Sequence, residues 1–326
     1  MPESPACVSS EPESHGVESA APQRLQSDES AAAEAVAGAA EDLEVSAGSL
    51  LQSLHCAPAS TELREAFRSD GFAIVRELLP PPLCEALAVR LEAMLKGCFD
   101  TGTAPDKIPM AAPRRRPRVE QFVNAWKGDR LFEAVVLSKA LARWVADLME
   151  WSAGAEVLQD QVWCKPPGSG PIAYHRDAAY MGEGVVTVWI TLDDLEPSLG
   201  PLEYARGSHA WPPPPYDGYT PSLFGKKDYR AEFNKAAAQC EADVEILPVL
   251  VPRGGGSIHD GRTWHGSAVN RSKRVRRGFG IHFGPIGARP VPPTALARQI
   301  APATEPAASP EGQPRERDLD VAEGDE

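Results

Sequence analysis

His175 and Asp177 stand two residues apart in Tyr174-His175-Arg176-Asp177, and His265 follows far along the chain. In an extended strand, residues i and i+2 project to the same side. The His-x-Asp unit then offers an imidazole nitrogen and a carboxylate oxygen to one point in space. A second histidine from a distant strand completes two nitrogens and one oxygen on one face of a metal ion. That donor set leaves the opposite face open and suits a non-haem Fe(II) centre.

These residues need a scaffold, and the chain supplies one in two styles. Ser60-Thr61-Glu62-Leu63 pairs a capping residue with helical spacing of Leu63, Ala66 and Phe67. Gly71–Val75 is a short β-prone run. A second helix is expected after Pro80-Pro81-Pro82, on Leu83, Leu87, Val89, Leu91 and Leu95, and helices are expected to resume in 128–150. From residue 156 the pattern changes to short β-prone runs: Val157–Cys164, Val185–Leu192, Val244–Val251, Gly256–His259 and Gly278–Phe283. Turn residues separate them, with a Pro- and Arg-rich loop over 99–118 and a long polar connection at about 212–243. Helices first and strands second predict an α+β fold, mainly β, with helices bracing a barrel or sandwich.

The net charge of −13 belongs to the ends. Residues 1–58 carry ten acids and one Arg, and residues 301–326 carry eight acids and two Arg, so the middle is close to neutral. Residues 1–58 and 299–326 are rich in Ser, Ala, Glu and Pro, and their composition predicts disordered acidic tails flanking one domain over 59–298. The six cysteines are scattered without a Cys-x-x-Cys pair, as in a reducing compartment. No apolar stretch is long enough for a membrane span, and no leader signature is visible, so a cytoplasmic protein is expected. No basic stripe marks a nucleic-acid partner. The run Arg114-Arg115-Arg116-Pro117-Arg118 is a solvated charge run, or else a lure for an anionic substrate. Oligomeric state is not legible.

The succession His175-x-Asp177, Gly207-Ser208-His209, His265-Gly266-Ser267 with Asn270, and Arg276 eleven positions after the last histidine resembles the phytanoyl-CoA dioxygenase family. The resemblance spans roughly residues 60–285. It implies a double-stranded β-helix of the jelly-roll or cupin-like kind. It also implies Fe(II) held by His175, Asp177 and His265, with 2-oxoglutarate and O2 as cosubstrates. Arg276 looks like the anchor for the far carboxylate of 2-oxoglutarate, a task suited to the two-pronged guanidinium. Arg274 and Arg277 are its rivals. Ser267 would add a hydroxyl, Trp189 would wall the pocket, and Gln161 and Lys165 are further pocket residues.

Each has a plainer reading. Trp189 also fits ordinary core, Ser267 and Asn270 also fit a turn, and His209, His259 and His282 fit structural positions. Arg176, Tyr180 and Met181 flank the site and are candidates for the substrate mouth. The implied reaction is hydroxylation of a C–H bond in a small molecule or acyl thioester, releasing succinate and CO2. Relatives that halogenate put a small residue where Asp177 stands, which favours hydroxylation here. The alternative is a relative that binds metal or 2-oxoglutarate without turnover.

Overall fold

A computed structural model describes residues 58–109, 117–212, 223–225 and 227–287. The acidic tails, except residue 58, and Arg114, Arg115 and Arg116 lie outside the described residues, as do residues 288–298 of the expected domain. Among the described residues the helices are α1 (Thr61–Asp70), α2 (Pro81–Leu95), α3 (Arg130–Val136), α4 (Lys139–Met149), α5 (Ala178–Met181) and α6 (Ala231–Gln239). The strands are β1 (Phe72–Val75), β2 (Glu120–Val123), β3 (Ala155–Lys165), β4 (Ile172–His175) and β5 (Val186–Thr191). They continue with β6 (Leu202–Ala205), β7 (Ile246–Pro248), β8 (Gly256–Asp260), β9 (His265–Ser267) and β10 (Arg276–Pro285).

The strands form two antiparallel sheets. One runs β1-β8-β5-β10-β3-β2 and the other β4-β9-β6-β7. This is the mainly β jelly-roll core with a few helices, as the sequence led one to expect. β10 lies at the heart of the larger sheet, between β5 and β3. Its even-numbered residues from Arg276 to His282 share one side, and the site is built on that side.

Local chemistry places the helices. Ser60 accepts from the Leu63 N–H at 3.2 Å and starts α1. Gly71, at φ 82°, ends it and turns the chain into β1. Two prolines open α2, where a missing N–H is harmless, and Leu83, Leu87 and Leu91 are buried on it. The helices expected over 128–150 are α3 and α4. Ser138 accepts from the Leu141 N–H and starts α4 afresh, so the chain breaks at Leu137 and Ser138.

Two further expectations change. The run Val244–Val251 is strand only over Ile246–Pro248, with single backbone bonds from Arg206 N–H to the Glu245 carbonyl and from Val249 N–H to the Leu202 carbonyl just beyond its ends. Val249 and Val251 are nevertheless buried, packing with Phe72, Leu202 and Tyr204. The polar connection 212–243 contains α6, whose Phe233, Ala236 and Ala237 pack against Tyr174 and Trp264. Residues 213–222 and 226 of that connection lie outside the described residues.

Candidate active site

β4 and β9 pair antiparallel, and His175 and His265 are direct partners in that pairing. Their rings stand 4.2 Å apart between centroids. Asp177 does not extend the strand. β4 ends at His175, and Asp177 sits at φ −64°, ψ −34°, opening the short α5. The carboxylate thus reaches the histidines from a strand-to-helix turn, not by strand alternation.

Neighbouring groups fix which atoms face inward. His175 Nδ1 lies 2.8 Å from the Ala173 carbonyl and His265 Nδ1 lies 2.9 Å from the Thr263 carbonyl. A carbonyl only accepts, so each ring donates from Nδ1 and keeps a bare Nε2. Those two Nε2 atoms lie 3.7 Å and 3.6 Å from Asp177 Oδ1. The other oxygen, Oδ2, accepts from the Thr187 hydroxyl at 2.6 Å and from His259 Nε2 at 3.0 Å. Two lone-pair nitrogens and one uncommitted carboxylate oxygen, all within 4.8 Å of one another, fit a divalent metal ion. Burial pushes both histidines down to about 4, aided by His265 at His175 and by His259 at His265, which keeps their nitrogens unprotonated. Asp177, despite its burial, is held well below the usual carboxylate range, with the His265 charge the largest lowering influence.

His175, Asp177 and His265 line a cavity whose other walls include Gln161, Trp189 and Arg276. Arg276 is 1% exposed, its guanidinium carbon 5.6 Å from the Trp189 ring centre. Nη1 donates to the Gly200 carbonyl at 3.1 Å, while Nε has no partner. Lys165 lies directly across the β3–β10 ladder from Arg276. Its Nζ donates to Ser267 Oγ at 3.0 Å and to the Ala268 carbonyl. Among the described residues neither cation is paired with a carboxylate. Glu203, the acid whose charge favours the protonated Lys165, is engaged by Arg230 at 2.6 Å and Tyr174 at 3.0 Å. A buried guanidinium without a counter-ion, beside a lysine that burial and that guanidinium push down to about 6, is a strong bid for an anion.

The rival arginines are otherwise employed. Arg277 is bound to Asp193 at 2.6 Å, and Arg274 is near Glu196 at 3.4 Å on the surface. Arg176 and Tyr180 do not line the cavity. Arg176 lies over Trp264 at 5.7 Å and Tyr180 meets His175 edge-on at 6.0 Å. Met181 packs with Tyr180 and Val185. His209 is near the Arg68 carbonyl at 3.2 Å, away from the site.

The phytanoyl-CoA dioxygenase family profile matches residues 67–278. The chain belongs to this family. As a phytanoyl-CoA dioxygenase family member it is a 2-oxoglutarate-dependent non-haem iron oxygenase. A probable alpha-ketoglutarate-dependent hypophosphite dioxygenase of Stutzerimonas stutzeri is 22% identical over 195 residues, 58% of this chain and 67% of that one. The crystal structure of AviO1 from Streptomyces viridochromogenes Tue57 is 26% identical, with 73% of this chain and all of that one covered at a TM-score of 0.53. EctD from S. alaskensis, solved with 2-oxoglutarate and 5-hydroxyectoine, shares the fold at 16% identity and a TM-score of 0.55, covering 72% and 78% of the two chains. Among the described residues of this family member, no helix is long and apolar enough to cross a membrane.

Three residues around the metal-side carboxylate carry no local sequence signal: Thr187, His259 and His282. Thr187 and His259 hold Asp177 Oδ2. His259 in turn meets Tyr204 Oη at 2.8 Å through Nδ1. The usable signal was strand alternation, since His282 shares the inward side of β10 with Arg276.

Proposed function

We propose that this protein hydroxylates a C–H bond of a small-molecule or acyl-thioester substrate, with release of succinate and CO2. His175, Asp177 and His265 hold Fe(II), which when loaded with 2-oxoglutarate and O2 supplies the oxidising power. The chain's own residues position and shield. Asp177 offers a single oxygen, Oδ1, because Thr187 and His259 retain the other. Arg276 and Lys165 receive the far carboxylate of 2-oxoglutarate, with Ser267 bridging from β9 and Trp189 closing one wall. The cavity is lined mainly by residues that are themselves buried, so the reacting centre is screened from bulk water.

The observation that supports this best is the placement of a buried guanidinium without a carboxylate partner, with a buried lysine across from it, in the same region as a convergent N2O donor set. A metal site with another task has no need of them. The test is anaerobic addition of Fe(II) and 2-oxoglutarate, read by the weak visible band of the chelate. Wild-type protein is expected to show the band and His175→Ala to lose it. An unchanged band in His175→Ala overturns the metal assignment. Succinate release in air then separates a turning-over enzyme from a binding protein.

A further inference from the structure

On the site-facing side of β10, His282 has Gln159 of β3 across from it on one flank and Thr187 of β5 on the other. Neither Gln159 nor His282 is needed to hold metal or 2-oxoglutarate. Both are buried, at 1% and 4% exposure. Each ends in a nitrogen without a hydrogen-bond partner, Gln159 Nε2 and His282 Nε2. His282 lines the cavity beside Thr187 and Asp177. Buried polar atoms are nearly always satisfied, so an exception on the cavity wall at His282, with a second on its cross-strand neighbour Gln159 just outside the lining, points to a ligand.

What each atom offers is fixed by the groups behind it. Lys107 Nζ is a donor and meets Gln121 Oε1 at 2.8 Å. That orients the Gln121 amide, whose Nε2 donates to Gln161 Oε1 at 2.8 Å. Gln161 Nε2 donates in turn to Gln159 Oε1 at 2.8 Å. The relay runs one way from the lysine, so its far end, Gln159 Nε2, is an N–H donor. At His282 the logic is opposite. The Thr187 hydroxyl proton is committed to the Asp177 carboxylate at 2.6 Å. Thr187 Oγ1 can then only accept from His282 Nδ1, 2.8 Å away. With Nδ1 carrying the proton, the neutral form of the His282 ring presents its lone pair at Nε2.

We infer that Gln159 and His282 form a substrate subsite for a group that both accepts and donates a hydrogen bond: an alcohol or a primary or secondary amide. This rests on the oxygenase reading above and names the substrate class for it. A ketone, ether or thioester carbonyl offers only lone pairs and sets one against His282 Nε2. An ammonium offers only donors and opposes the Gln159 amide. A bare hydrocarbon leaves both nitrogens unmet.

Cyclohexanol, cyclohexanone and cyclohexylammonium are matched probes. Their binding to the full-length protein is measured by calorimetry, both metal-free and anaerobically with Fe(II) and 2-oxoglutarate. Cyclohexanol is expected to bind about tenfold tighter than the other two, as one or two neutral hydrogen bonds allow. Gln159→Met and His282→Phe are expected to erase the preference while the chelate band persists. Nitrogen-15 NMR of the wild type is expected to show His282 protonated at Nδ1. Equal binding of the three probes, a preference that survives in both variants, or a His282 ring protonated at Nε2 overturns the subsite. A missing chelate band in the wild type strikes the metal and cosubstrate assignment instead, and the metal-free calorimetry still decides the subsite.

Discussion

Lys165 and Arg276 are direct cross-strand partners, both essentially fully buried, 0% and 1% exposed. Two basic groups opposite each other in a buried ladder are costly to keep charged together. The arrangement makes sense when a carboxylate lies against it. Arg276→Leu is therefore expected to weaken 2-oxoglutarate binding about a hundredfold or more, the scale of losing charge-assisted hydrogen bonds. Its thermal stability without ligand should hold or rise. Titration of the chelate band measures the first and a thermal melt the second; affinity within threefold of wild type refutes the anchor.

The same pair gives a pH dependence. Burial, reinforced by the Arg276 charge, pushes Lys165 from the usual 10.5 down to about 6. The folded protein releases this proton near pH 6, whereas the unfolded chain holds it to about 10.5. The unfolded state thus binds more protons between these values, so stability rises with pH across the window and is lost as pH falls through 6. Lys165→Met should flatten that rise in urea denaturation at pH 6.5 and 8.5. A carboxylate beside Lys165 should restore its charge. Binding of 2-oxoglutarate at pH 7.5 is then expected to take up a proton, seen as a buffer-dependent calorimetric enthalpy that Lys165→Met abolishes.

Thr187 touches Asp177 Oδ2, the carboxylate oxygen turned away from His175 and His265 and shared with His259. Removing its hydroxyl frees Oδ2 and loosens the orientation of Asp177. Thr187→Val is expected to lower Fe(II) affinity about 10- to 100-fold, the range for groups that orient metal ligands. Competition with a chromophoric chelator reads this directly. No change would mean that His259 alone sets the carboxylate.

Gly278 lies under Trp189, and a Cβ there would come 2.7 Å from the indole Cζ2 and 2.9 Å from the Ile190 carbonyl. Gly278→Ala should displace the indole that stacks on Arg276. Weaker 2-oxoglutarate binding is expected together with a loss of about 1–3 kcal/mol in stability, typical of overpacking. Intrinsic tryptophan fluorescence together with the affinity separates this from simple unfolding.

Much of this architecture was legible from residue types, but unevenly. His175, Asp177, His265 and Arg276 stand out because their types are costly to bury without a purpose and their spacing is tight. β3, β5 and β10 announce themselves through apolar, β-branched runs. Gln159, Thr187 and His282 do not, since their importance arises only once the register sets them side by side. Asp177 was expected on a strand, and the turn into α5 is invisible in four residues of sequence. α6 was hidden because Ala-rich helix and polar connection look alike until Phe233 finds Tyr174 and Trp264.

The candidate iron ligands stand on or beside the four-stranded sheet, and Arg276 and Lys165 stand on the six-stranded one. A five-carbon diacid held extended from metal to guanidinium would work as a calliper between the two layers. Any mutation that alters their separation, however remote, would then be felt as a misfit at one end of the cosubstrate.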